Sequence, residues 1–264
     1  MRREEELVRP CRSPRRRAAL LAALLLAAPA ASRAAEADWF PLRGDVQRVY
    51  EVHRDHTYHP EDAKIDRVFH AGRMTETIVA APERAPGGFL VRDVLNLAPV
   101  AGAGSPETFA EWTVLSFQNE LRIHASGATD ERGQGSEAVY APPLRFLPTT
   151  AVGDSWKVGT YRSGDRQAEL RGTVLGIEDV AGKPAWSKCL KVRLDGALTG
   201  RVPVYDGFAE IEAGTFERLL WLARGTGIVR AVTTIEAKLR LPDGKRADTV
   251  QVLTVRLVDS SDSP

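Results

Sequence analysis

Gly227-Ile-Val-Arg-Ala-Val-Thr-Thr-Ile-Glu-Ala-Lys-Leu-Arg-Leu241, followed at once by Pro242-Asp-Gly-Lys245, is the stretch on which the fold turns. Val229, Ala231, Thr233, Ile235, Ala237, Leu239 and Leu241 occupy one parity, whereas Arg230, Thr234, Glu236, Lys238 and Arg240 occupy the other. A period of two over so many residues predicts a strand with one buried face. Pro242-Asp-Gly-Lys245 supplies the turn, because glycine takes the positive φ that a tight hairpin needs. The returning segment, Ala247 to Val258, again puts Leu253, Val255 and Leu257 on one face. The C-terminal third therefore reads as an antiparallel meander.

The same pattern recurs upstream. Arg67–Ala80 pairs with Gly88–Leu97, Thr108–Phe117 with Leu121–Ser126, and Ala168–Val180 with Trp186–Leu194, each across a short or Pro- and Gly-bearing connection. Gly172 and Gly176 interrupt one strand where its apolar parity changes, which predicts a β-bulge. Past the N-terminus no segment carries a helical stripe. The predicted class is all-β, a long antiparallel meander with few or no helices in the mature chain.

The N-terminus follows a different pattern. Ala18–Ala28 is an unbroken apolar run of 11 residues, preceded by Arg12, Arg15, Arg16 and Arg17 and followed by Pro29 and small residues. That order is the one an export signal shows. As a helix the run spans roughly 16 Å, half of the ~30 Å bilayer core, so a cleavable signal is expected rather than a membrane span. Ser32 with Ala34 provides the small side chains at a cleavage site, Ala35 with Ala37 almost as well, and the cut is expected after Ala34, between Ala34 and Ala35, within a few residues. Cys11 lies upstream of the run, which disfavours a lipid anchor; the acidic run Glu4–Glu6 fits Val8 as an alternative start. The expected division is a signal at 1–34 and one β-rich domain at 35–264, periplasmic or secreted. Gly127–Pro143, polar and Gly-rich and ending in Ala141-Pro-Pro143, is the expected break if that domain has two lobes, 35–140 and 141–264.

Charge narrows the function. The chain carries 36 Lys and Arg against 35 Asp and Glu, and the first 34 residues remove eight Arg and three Glu, leaving 28 basic and 32 acidic residues. With signs alternating along every segment, there is no basic patch of the kind phosphate recognition requires, so nucleic acid is not an expected partner. Only Cys189 follows the signal. A structural role is expected for it, since no second Cys or basic partner lies near in sequence.

Four short phrases, Trp39-Phe-Pro-Leu-Arg-Gly44 with Val49-Tyr-Glu-Val52, Val152-Gly-Asp-Ser-Trp156, Lys188-Cys-Leu-Lys-Val192 and Trp221-Leu-Ala-Arg-Gly-Thr-Gly-Ile-Val-Arg230, occur in this order along most of the chain. In them the sequence resembles exported bacterial proteins with a TapB-like domain. It departs from that pattern after Asp179, where Val-Ala-Gly-Lys-Pro stands in place of a Pro-Ala-Gly-Thr-Phe turn; Ala213-Gly-Thr-Phe216 comes later instead. The resemblance implies an antiparallel sheet curled into an open, half-closed β-barrel, loosely similar to lipoprotein carriers such as LolA. It implies no catalytic residue.

Candidate chemistry is sparse. His53, His56 and His59, with Asp55, Glu61 and Asp62, form a cluster expected near a hairpin tip, and such a set could hold a divalent metal such as zinc. In an extended chain 53 and 59 share a face that 56 opposes, so solvated histidines account for the cluster with less machinery. His124 is expected on the solvent face of its strand. There is no Gly-x-Ser-x-Gly elbow, HExxH helix or Cys–His pairing, so a hydrolase would need a site assembled wholly by tertiary contact. No catalytic residue and no cofactor is assigned. Trp39, Trp112, Trp156, Trp186 and Trp221 suit core corners, with ring stacking on a glycan as the alternative.

A curled sheet must cover its concave face with its own side chains, a helix, a partner or a ligand. The chain has no helix for that purpose. The expected function is therefore a non-enzymatic envelope protein binding a lipid or other apolar small molecule. The alternatives are an assembly module that docks another envelope protein, and an unrecognised hydrolase.

Overall fold

The computed structural model describes residues 38–101, 105–129, 135–182, 184–204 and 207–261. Ala34 and Ala35, the expected cleavage positions, lie outside the described residues. Twelve strands follow one another: β1 (Val46–Pro60), β2 (Asp66–Ala80), β3 (Gly88–Ala101), β4 (Glu107–Phe117), β5 (Leu121–Thr129), β6 (Gly135–Leu147), β7 (Ser155–Ser163), β8 (Arg166–Val180), β9 (Trp186–Val204), β10 (Gly207–Ala223), β11 (Gly227–Arg240) and β12 (Arg246–Ser260). They form a single antiparallel sheet in the order β6-β5-β4-β3-β2-β1-β12-β11-β10-β9-β8-β7. Neighbours in sequence are neighbours in space, except where β1 meets β12. The sheet curls into a nearly closed barrel whose one unsealed seam lies between β6 and β7.

Register fixes which side chains face inward, because directly opposed residues share a face. Val52 sits opposite Gly72 on β2 and opposite Val255 on β12, which in turn opposes Ala231 on β11. The alternation seen in β11 and β12 thus marks the barrel interior. At one end this interior is solid: Tyr50, Ile78, Leu121, Leu147, Leu190, Leu220, Leu222 and Leu257 are each less than 2% exposed. Burying such a side chain contributes about 1.5–3 kcal/mol apiece. Trp39 and Phe40 close that end, with Phe40 edge-on to Phe146 and the Arg224 guanidinium over the Trp39 ring. Trp156 on β7 lies flat over Gly172 on β8, where any Cβ would collide with the indole. The phrase containing Trp156 is a packing motif.

β1 runs on through Pro60, so His53, His56 and His59 lie in the strand that leads into the hairpin turn at 61–65, which carries Glu61 and Asp62. One expectation needs correction. The expected inter-lobe break, Gly127–Pro143, is mostly the end of β5 and the start of β6, and position 140/141 falls inside β6. Pro142 and Pro143 are tolerated there because β6 is an edge strand, where a missing N–H breaks no ladder. The two halves of the sheet part at 148–154, and β1 and β12 join them. Next to Cys189, β9 carries a bulge. Lys188 adopts φ 54° and donates its N–H to Asp179 Oδ1 at 2.8 Å, which lets both Cys189 and Leu190 be fully buried. The bulge predicted near Gly176 is present, between Val174 and Gly176.

Candidate functional site: the barrel interior

Beyond the packed end, inward-facing side chains keep accessible surface, so the interior is not fully packed there. Met74 on β2, Phe109 on β4, Phe216 on β10, Ile235 on β11 and Leu253 on β12 all point inward yet are only partly buried. On β2, β3, β4 and β10 the residue two positions deeper than this apolar band, or than Leu95 on β3, is charged: Glu76, Asp93, Glu111 and Arg218.

Arg48, Glu76, Asp93 and Glu111 form one cross-strand row over β1 to β4. Its first two members are paired with each other. Arg48 Nη1 donates to Glu76 Oε1 at 2.8 Å, both residues being at least 95% buried. The Tyr50 hydroxyl lies 3.3 Å from the same carboxylate oxygen and 3.1 Å from the Ile228 carbonyl. Burial first, and then the Glu76 charge, raises the Tyr50 phenol well above its ordinary value.

Asp93 and Glu111 differ from that pair. Asp93 Oδ1 is closed to solvent and has no hydrogen-bond partner. Desolvation, followed by the like charges of Glu76 and Glu111, pushes its carboxyl well above the usual carboxylate range. Glu111 is reached by water, yet protein surrounds it, and desolvation raises it too, against the opposing pull of Arg218 and Arg166. Beside it the Tyr161 phenol is raised to about 12, by burial and then by Glu111.

Nearer the mouth the charges are paired. Arg54 donates to both oxygens of Glu107, at 2.8 and 2.5 Å, and its Nη2 lies 3.1 Å from His70 Nδ1. That bidentate bond holds Glu107 below its ordinary value. His56 Nε2 lies 3.0 Å from Thr249 Oγ1, and burial and then Arg54 depress the imidazole.

Side chains fasten the seam where no ladder does. Trp156 Nε1–H on β7 donates to the Arg145 carbonyl on β6 at 2.9 Å. The Tyr140 hydroxyl contacts both the N–H and the carbonyl of Arg162, at 3.3 Å each, and Tyr140 stacks on Tyr161.

The sequence candidates are dispersed. His56 faces the interior, whereas His53 and His59 are exposed on the outer surface, His53 being 3.5 Å from Glu51. The strand therefore keeps them on opposite faces, and among the described residues no group of three His, Cys, Asp or Glu is placed to hold a metal. His124 faces outward and lies 2.7 Å from Ser116 Oγ. Trp39, Trp156 and Trp221 are buried, Trp221 on the outer face beneath Arg230 and Lys191. An open groove of about 340 Å³ beside Phe40, Leu42 and Phe89 lies at the closed end, away from the charged row. Sequence reasoning missed Asp93, Glu111, Arg166 and Arg218. Their signal was available: Glu76 between Met74 and Ile78, and Asp93 between Val91 and Leu95, are charges at positions where the alternation demands apolar side chains.

No family model matches this chain, and no curated protein matches it. Among solved structures it is similar to the crystal structure of a "putative lipoprotein" from Parabacteroides distasonis ATCC 8503, with 12% identity, coverage of 84% of this chain and 98% of that one, and a TM-score of 0.37. At that distance nothing about the other protein transfers.

Proposed function

We propose that this is an exported, non-enzymatic binding protein of the cell envelope, periplasmic or secreted, which takes a largely apolar, amphiphilic small molecule into the hollow of its barrel. One observation carries the reading: Met74, Phe109, Phe216, Ile235 and Leu253 face inward but remain partly accessible, leaving apolar surface for a ligand to cover. The signal-type N-terminus supports export. The outer wall supports an aqueous setting, since Glu51, Arg73, Arg92, Asp195 and Lys238 point outward from five strands. Charges facing lipid near a bilayer midplane would cost up to about 2–4 kcal/mol each. Among the described residues no helix is long and apolar enough to cross a membrane.

The test is native mass spectrometry of the protein purified from the periplasm. A bound small-molecule adduct that is lost in Ile235→Glu is expected, and a bare protein from every gentle preparation would overturn the reading. The second reading, an assembly module, rests on Val139 and Val152, which are 68% and 60% exposed at the seam edge and on the adjoining loop. Crosslinking to one protein partner through these positions, with no adduct, would favour it.

A further inference from the structure

We propose that the head group of the bound amphiphile is zwitterionic, its cation lying against Asp93 and Glu111 and its anion against Arg218 and Arg166. This rests on the binding function proposed above and adds the chemistry of the ligand.

Side chains of opposite sign point into one interior, acidic ones from β3 and β4 and basic ones from β10 and β8. Asp93 and Glu111 are direct cross-strand partners on β3 and β4. Arg218 on β10 and Arg166 on β8 approach from the other side of the barrel, and their charges act on Glu111, with Arg218 acting on Asp93 as well. Yet among the described residues no ion pair within 4.0 Å joins the walls. Arg218 Nε, like Asp93 Oδ1, is closed to solvent and without a hydrogen-bond partner. Arg166 makes only a long contact, 3.5 Å, to Ser163 Oγ.

The neighbouring charges show that direct pairing is available to this barrel. Arg48 with Glu76 and Arg54 with Glu107 are both closed, at 2.8 and 2.5 Å. The middle set has no such ion pair among the described residues, and it borders the accessible apolar side chains Phe109 and Phe216, which lie two residues from Glu111 and Arg218. A buried donor and acceptor without partners each carry a desolvation cost that a matching group removes. A purely anionic head would satisfy the guanidinium wall and oppose the carboxylate wall, and a purely cationic head would do the reverse. A neutral head would leave both charges unmatched. A head carrying both charges satisfies both walls, and the mismatched heads are rejected by repulsion as well as by lost contacts.

The experiment is calorimetric titration of the full-length mature protein at neutral pH with four probes of equal chain length, all below their micelle concentrations: octylphosphocholine, octyl phosphate, octylamine and octyl glucoside. The zwitterion is expected to bind ~10-fold or more tightly than each of the others. Arg218→Met should move the preference towards octylamine and Asp93→Asn towards octyl phosphate, with folding of each variant read from its circular dichroism. The wild-type ranking stands without the variants. Equal binding of the four probes, or a win for a singly charged one, overturns the zwitterion assignment and leaves amphiphile binding intact. Binding of none removes the binding function itself and this inference with it.

Discussion

Glu76→Ala should be the most damaging single polar substitution in the barrel. The residue sits between Met74 and Ile78 on the inner face of β2, and its carboxylate accepts from Arg48, which is itself 1% exposed. Removing one member of a buried ion pair takes that counter-charge from the other at low dielectric, which costs up to about 3–5 kcal/mol. For a domain of this size each kcal/mol lowers Tm by about 2–4 °C, so a fall of up to roughly 6–20 °C is expected in thermal melts followed by circular dichroism. The double variant Arg48→Met/Glu76→Leu replaces the pair with apolar groups of similar volume. It should recover most of the loss, because the desolvation of both charges disappears with them. A drop below about 2 °C in the single variant, or a double variant as unstable as the single, would refute the idea that the pair is held together by burial.

Three further outcomes follow from the same geometry. Trp156→Phe keeps most of the ring over Gly172 but removes the hydrogen bond to the Arg145 carbonyl. A loss of about 1–3 kcal/mol is expected, with faster hydrogen exchange in β6 and β7 and none in β1 and β12; uniform acceleration would contradict a side-chain-fastened seam. Asp93→Asn should stabilise the protein near pH 8 and not at pH 3. A carboxyl whose folded pKa is raised contributes most below its ordinary value of 3.8 and loses that contribution as pH rises through the folded value. Melts of both proteins across this range check the sign, and a gain that persists unchanged at pH 3 would exclude the cause. Burial raises the Cys189 thiol to about 11, so it should resist a thiol reagent at pH 8 until denaturant is added. Rapid labelling of the native protein would show the bulge at Lys188 to be open.

What could be read from the sequence was what is local. β11 announces itself by its long alternation, and a Pro-Asp-Gly turn hands it on to β12, where Leu253, Val255 and Leu257 share a face. β6 is hidden by Pro142 and Pro143, which signal a break in a central strand but are harmless on an edge. The pairing of β1 with β12 has no local signal at all: Val52 and Val255 are good strand residues with any partner. The interior charges were overlooked for a related reason. Asp93 in a single strand looks like an irregularity, and only when the sheet curls does Arg218, more than a hundred residues away, come to face it.

The meeting of β1 with β12 also bears on how the chain is made. Every other pair in the sheet joins strands adjacent in sequence and can close as soon as its second member exists. The inner edge of β1 alone must wait for the last strand to be synthesised, with its backbone donors and acceptors open throughout. Contacts of such long sequence separation close slowly, and unpaired edges invite pairing with the wrong chain. The charges Glu51 and Asp55 along that waiting edge stand where a guard against association is needed, and the barrel is complete only when β12 relieves them.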